Sequence, residues 1–196
     1  NYIRYIGAGA VAAGGLISLI KSLPTMVKTF SRAVKGFGKK GEAGDRTQRD
    51  IPMSAVLGGI VVIAVAIWLL PEIPVSFVGA IIIVVFGFFF ATVSSRMVGI
   101  VGSSNNPVSG MAIATLIVTT AILKATGSTG ASGMVAAISI GTVICIIAAM
   151  AGDTSQDLKT GYIVGATPAK QQIGELIGAV VSAIAIGGVM YLLNAA

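Results

Sequence analysis

Seven carboxylates, one cysteine and no histidine are the groups from which this 196-residue chain could build a catalytic or metal site. Asp153 and Asp157 stand four apart, which puts both on one face of any helix there. Two carboxylates on one face can hold a cation or exchange a proton. The plainer reading is a helix start capped by Asp153 and balanced by Lys159. Glu175 is the acid closest to the interior of an apolar run, and it follows Gln171-Gln172-Ile173-Gly174. Ionisable residues within a membrane span are costly and mark function by default, although one this near the end can also snorkel. Glu175, Asp153 and Asp157 are therefore the candidates for holding a cation or exchanging a proton. Cys145 lies alone in an apolar run, so it makes no intrachain disulfide, and no metal-ligand spacing is present. Without histidine there is no His-based zinc site, haem ligation or Ser-His-Asp triad. No catalytic residue, metal or cofactor is expected.

The other chemistry on offer is uncharged. Gly99-Ile-Val-Gly102-Ser103-Ser104-Asn105-Asn106-Pro107-Val108-Ser109-Gly110 sets polar, helix-breaking residues between two apolar runs. Pro107 disfavours helix at Asn106, and Asn, Ser and Gly supply caps and non-helical backbone. Such a break can bind polar or anionic groups beside a helix N-terminus. Ser103, Ser104, Asn105, Asn106, Pro107 and Ser109 are accordingly candidates for lining a substrate pathway. An ordinary turn in which Ser104 or Asn105 caps the next helix uses the same residues. Ile100-Val101-Gly102…Pro107 is echoed by Ile163-Val164-Gly165…Pro168, a faint hint of an internal repeat.

The elements that hold these residues must be membrane helices. Charged residues are 10% of the chain, hydrophobic residues 55%, and the mean hydropathy is +0.96. A soluble domain carries about 25% charged residues and needs them to cover its surface. That excludes a soluble enzyme and a disordered chain, and leaves an all-α polytopic membrane protein. Six spans are expected, near residues 5–20, 53–70, 75–95, 108–123, 131–151 and 174–193, each uncharged or nearly so over about 20 residues. Pro71-Glu72-Ile73-Pro74 turns the chain between the second and third. In lipid every backbone polar group needs an internal partner, and the runs lack the alternation of barrel strands, so helices form.

Eight of the 13 basic residues fall in residues 21–50: Lys21, Lys28, Arg32, Lys35, Lys39, Lys40, Arg46 and Arg49. Basic loops stay on the cytoplasmic side. Residues 96–107 and 152–173 then lie inside, and 71–74 and 124–130 outside. Met26, Val27, Phe30, Val34 and Phe37 recur at helical spacing opposite Lys28, Arg32 and Lys35. This predicts a basic amphipathic helix on the membrane surface, against the alternative of a solvated loop. The organisation is thus a transmembrane helix at 1–20, a basic cytoplasmic loop at 21–50, and a five-helix bundle at 51–196 with polar breaks at 102–110 and 152–172. Gly174 with Gly178, and Gly133 with Ala137 and Gly141, form small-residue faces that let helices approach closely.

Arg4-Tyr5-Ile6-Gly7 with Ala12-Ala13-Gly14-Gly15, the stretch from Gly102 to Met111, Ala151-Gly-Asp-Thr-Ser-Gln-Asp-Leu-Lys-Thr-Gly161 and Gly165-Ala-Thr-Pro-Ala-Lys-Gln-Gln172 together resemble the oligopeptide transporter family in its prokaryotic branch. The resemblance runs over nearly the whole chain. It implies a portion of a larger secondary carrier, in the inner (plasma) membrane of a prokaryote, that imports small peptides or metal chelates with protons. Yellow-stripe-like relatives carry metal–chelator complexes. The implied partners are that substrate, the lipid bilayer, the remaining helices of the carrier and a homodimer mate; nothing points to nucleic acid. Two other functions compete on the residues alone. A membrane-embedded ion-pumping enzyme would use Asp153 and Asp157 with magnesium, but so few clustered acids do not make a multi-metal phosphate site. A structural membrane subunit would need only the small-residue packing.

Overall fold

The computed structural model describes residues 45–71, 73–102, 106 and 108–195, together with positions 2, 3, 5–7, 9, 10, 13, 14, 17, 20, 21, 24 and 28. Those early positions are helical, and most of the first expected span and of the basic amphipathic segment lies outside the described residues. Five helices follow: α1 (Met53–Leu69), α2 (Phe77–Val101), α3 (Val108–Ala125), α4 (Gly130–Val164) and α5 (Pro168–Ala195). All five are long and apolar enough to cross a bilayer. No strand occurs among the described residues. The protein is a polytopic membrane protein.

The helix ends are written in the sequence. Leu70 to Val75 turns tightly, with Ile73 N donating to Leu70 O at 3.1 Å and Val75 N to Ile73 O at 2.7 Å. Ser76 then caps α2 by accepting from Gly79 N at 3.3 Å. Trp68 meets Phe77 edge to face at 5.6 Å across this turn. Gly102 ends α2 and Gly165 ends α4, at φ 76° and 73°, a left-handed conformation that glycine adopts without strain. The echo between the two Ile-Val-Gly segments is therefore shared helix-stop chemistry, with a proline soon after each.

Two compact units are distinguished, and each is described by itself. The first contains α1, α2, α3 and α4 as far as Gln156. Its core joins Ile82, Ile83, Phe90 and Val93 of α2, Met111, Ala114 and Leu123 of α3, and Ala136, Ala137, Ile140, Ile144 and Ala148 of α4. Gly133, Ala137 and Gly141 lie on this buried side of α4, as the small-residue spacing predicts. A Cβ at Gly141 would stand 2.8 Å from Leu116, one at Gly87 2.9 Å from Ile147, and one at Gly79 2.9 Å from Ile140. Without a strong hydrophobic drive between helices in lipid, such close approach is what binds them. Nearly all of α1 is exposed.

The second unit contains residues 40–52 and 157–196. The α4–α5 elbow is closed by Ala166 N donating to Gly161 O at 2.8 Å, and Thr167 O accepts from Lys170 N and Gln171 N at 3.1 and 3.3 Å. Pro168 opens α5, a position where a missing N–H costs nothing. The same elbow holds the end of the basic loop: Ala169 N donates to Arg49 O at 3.0 Å, and Ile51 N to Gln172 Oε1 at 3.3 Å. Just before it, Thr47 Oγ1 donates to Asp45 at 2.9 Å and holds that carboxyl below its usual range.

One sequence expectation is corrected here. Residues 152–172 are not a continuous polar break, because α4 runs unbroken to Val164 and only 165–167 leave the helix. Asp153 consequently sits mid-helix and caps nothing. At about 1.5 Å per residue α4 is roughly 52 Å long, well beyond the roughly 30 Å hydrocarbon core. Its polar last turns need no apolar side chains, and the first strong helix stop is Gly165. Gly174 and Gly178 meet no described atom within 4 Å of a Cβ built on them.

Candidate functional site

A buried polar contact between helices of the first unit lies where α2 crosses α4. Ser94 is 0% exposed. Its hydroxyl donates to Ala148 O of α4 at 2.5 Å. Asn106 reaches the same point from the segment after α2. Its Nδ2 donates to Ser94 Oγ, and lies 3.4 Å from Ala148 O. Two helical turns further along α4, Ser155 Oγ donates to Ser95 O at 2.7 Å. The result is a polar seam between two membrane helices, carried by hydroxyls, one amide and backbone carbonyls.

Two glycines make the seam. A Cβ at Gly152 would stand 2.9 Å from Asn106 Nδ2, 3.0 Å from Ser94 Oγ and 3.2 Å from Val98. A Cβ at Gly99 would stand 2.8 Å from Ser155 Oγ. Gly152 thus leaves the space into which the Asn106 amide fits. The backbone at Asn106 is fixed as well, since its carbonyl accepts from Val108 N at 2.9 Å across Pro107.

The second unit has a polar groove of its own, about 420 Å³ in volume, lined by Asp157, Thr160, Gln171, Gly174 and Glu175. Gln171 packs its amide against the backbone at Gly161, where a side chain would collide with it, and donates to Asp157 O at 3.1 Å. Its Oε1 is buried without a hydrogen-bond partner. The elbow folds Asp157 of α4 and Glu175 of α5 onto one groove although 18 residues separate them.

The family model of the OPT oligopeptide transporter protein matches residues 1–196. The chain belongs to this family. A Haemophilus influenzae protein named "Putative oligopeptide transporter" is 30% identical over 217 aligned residues, which cover 97% of this chain and 34% of that protein. The chain thus spans about a third of that relative's length. No solved structure matches it.

Within this family member, the expected site residues separate. Asn106 lies in the α2–α4 seam, while Ser109 is exposed on α3. Ser103, Ser104, Asn105 and Pro107 lie outside the described residues. Asp157 and Glu175 share the groove; Asp153 is exposed on α4 and does not line it. Among the described residues no three of His, Cys, Asp and Glu cluster as a metal site. Reasoning from sequence did not single out Ser94, Ser155, Gly99 or Gly152 as site residues, nor the role of Gln171. The one available signal was the Ser94-Ser95 pair inside an apolar run, a costly placement in lipid unless each hydroxyl finds a partner.

Proposed function

We propose that this chain forms part of a secondary active transporter that takes up small peptides or metal chelates with protons across a prokaryotic inner (plasma) membrane. Family membership supports transport itself. The observation that supports the substrate class is the seam at Asn106: an amide placed at a crossing of membrane helices, next to a helix break, where uncharged donors and acceptors suit the backbone of a peptide or the arms of a chelate. Water or a polar substrate in a pathway there would satisfy groups that a dry bundle penalises. Glu175 and Asp157, sharing one groove, are the leading coupling carboxylates, with Asp153 behind them. Residues 21–50 face the cytoplasm in this reading, and the surfaces of α1 and α5 meet lipid or further helices of the carrier.

The test is uptake by the full-length protein in sealed vesicles, with labelled trialanine or an iron chelate outside. Accumulation that rises with an inward proton gradient and collapses with an uncoupler is the expected result. Equal uptake with and without the gradient would remove the proton from the reading, and no uptake of either solute would remove the substrate class.

A further inference from the structure

We infer that Ser94 and Gly152 are positioning residues that turn the Asn106 amide so that it meets substrate as a hydrogen-bond acceptor, selecting the N–H donors of a peptide backbone. This rests on the pathway reading above and sharpens it. The amide nitrogen carries two hydrogens and no lone pair to offer. The Ala148 carbonyl can only accept, so the side of the amide facing it is the nitrogen. Ser94 Oγ spends its own hydrogen on Ala148 O, and is left to accept from Asn106. Both Nδ2 hydrogens are thereby directed into the seam. Gly152 is what permits this, since any Cβ there would meet Nδ2 at 2.9 Å. Asn106 is only partly buried, and with its nitrogen turned inward Oδ1 is the atom left to face outward. An outward acceptor binds amide N–H or ammonium groups and repels carboxylates. Asn106 is then no longer an indifferent donor-or-acceptor, as the bare sequence leaves it.

The experiment uses the full-length transporter and has two arms. The first compares thermal midpoints in detergent for Ser94→Ala, Asn106→Ala and the double variant. If Ser94 and Asn106 act as one unit, the double variant falls no further than the worse single, within about 1 °C; additive falls would overturn the positioning. The second measures uptake of trialanine against its analogue methylated on the backbone nitrogens. The wild type should favour trialanine in KM by about tenfold, the worth of one hydrogen bond. Ser94→Ala and Gly152→Ala, normalised for protein in the membrane, should bring that ratio to about twofold or less while kcat for trialanine changes less than about twofold. A ratio kept in both variants would make the seam a packing contact only and overturn the acceptor role. Absence of trialanine uptake by the wild type would overturn the peptide reading and the acceptor role with it; the thermal arm would still decide the positioning.

Discussion

Replacing Gly152 by alanine adds one methyl group to the place where three neighbours already converge. The new carbon would lie 2.9 Å from the Asn106 amide nitrogen, 3.0 Å from the Ser94 hydroxyl and 3.2 Å from Val98. A relaxed carbon–nitrogen or carbon–oxygen contact needs several tenths of an ångström more. Ser94 cannot retreat without giving up Ala148 O, so Asn106 moves and its bond to Ser94 breaks. Overpacking of this kind costs about 1–3 kcal/mol, and the lost hydrogen bond about 0.6 kcal/mol more. Alanine favours helix over glycine by about 1 kcal/mol, which offsets only part. The net expectation is a loss of about 0.6–2.6 kcal/mol. Gly178→Ala is the matched control, because a methyl group there meets no described atom within 4 Å, and the helix gain stands alone. The assay is thermal unfolding of the full-length protein in detergent, followed by intrinsic fluorescence. Gly152→Ala should melt measurably below the wild type and Gly178→Ala at or above it. Equal midpoints for the two variants would refute the claim that α2, α4 and Asn106 are in contact at this point. A large fall in Gly178→Ala would instead show that another helix of the full-length carrier occupies that face of α5.

Three further outcomes follow from the same structure. Asn106→Leu should abolish peptide uptake in vesicles while the amount of inserted protein is unchanged; uptake at the wild-type rate would reduce residues 102–107 to a plain turn. Glu175→Gln should flatten the dependence of uptake on the proton gradient by tenfold or so while changing substrate KM less than about twofold, and Asp153→Asn should change neither. Gradient dependence that survives Glu175→Gln would move the coupling role to Asp157. Single cysteines at Lys39 and Gly127, in a Cys145→Ser background, should react with an impermeant maleimide from opposite sides of the membrane, and labelling from one side would break the assumed count of spans.

The apolar spans were legible because each is a long uninterrupted run, and in lipid such a run has no structure open to it but a helix. The break at Gly102 was legible too, because glycine acts through backbone geometry that is local and fixed by residue type; the stop at Gly165 and the helix start at Pro168 act in the same way but were hidden inside a stretch that reads as one polar break. What misled was polarity. The chain from Gly152 reads as a break after the fifth span, with a new helix capped by Asp153, since Gly, Asp, Thr and Ser are poor helix formers and good caps. Yet nothing in that stretch forbids the same helix from running on, and once α4 outruns the hydrocarbon its side chains are free to be polar. The seam was illegible for a different reason. Ser94, Asn106 and Ala148 O meet only through the crossing of α2 and α4, and no spacing along the chain encodes that crossing. The pairing of Asp157 with Glu175 is intermediate: the elbow at 165–167 announces a hairpin, but which turns of the two helices face each other depends on Gln171 folding back on Gly161.

The two glycines of the seam bear on how such a site can work inside a membrane. Interhelical hydrogen bonds there average only about 0.6 kcal/mol, because the unpacked state also finds partners. The bonds from Ser94 and Ser155 therefore do little to hold α2 against α4; the close approach permitted at Gly99 and Gly152 does more. Packing thus sets the distance between α2 and α4, while the weak bonds at Ser94 and Ala148 O set which end of the Asn106 amide turns inward. A leucine-lined crossing of the same tightness would hold the helices as close and leave the amide without an orientation.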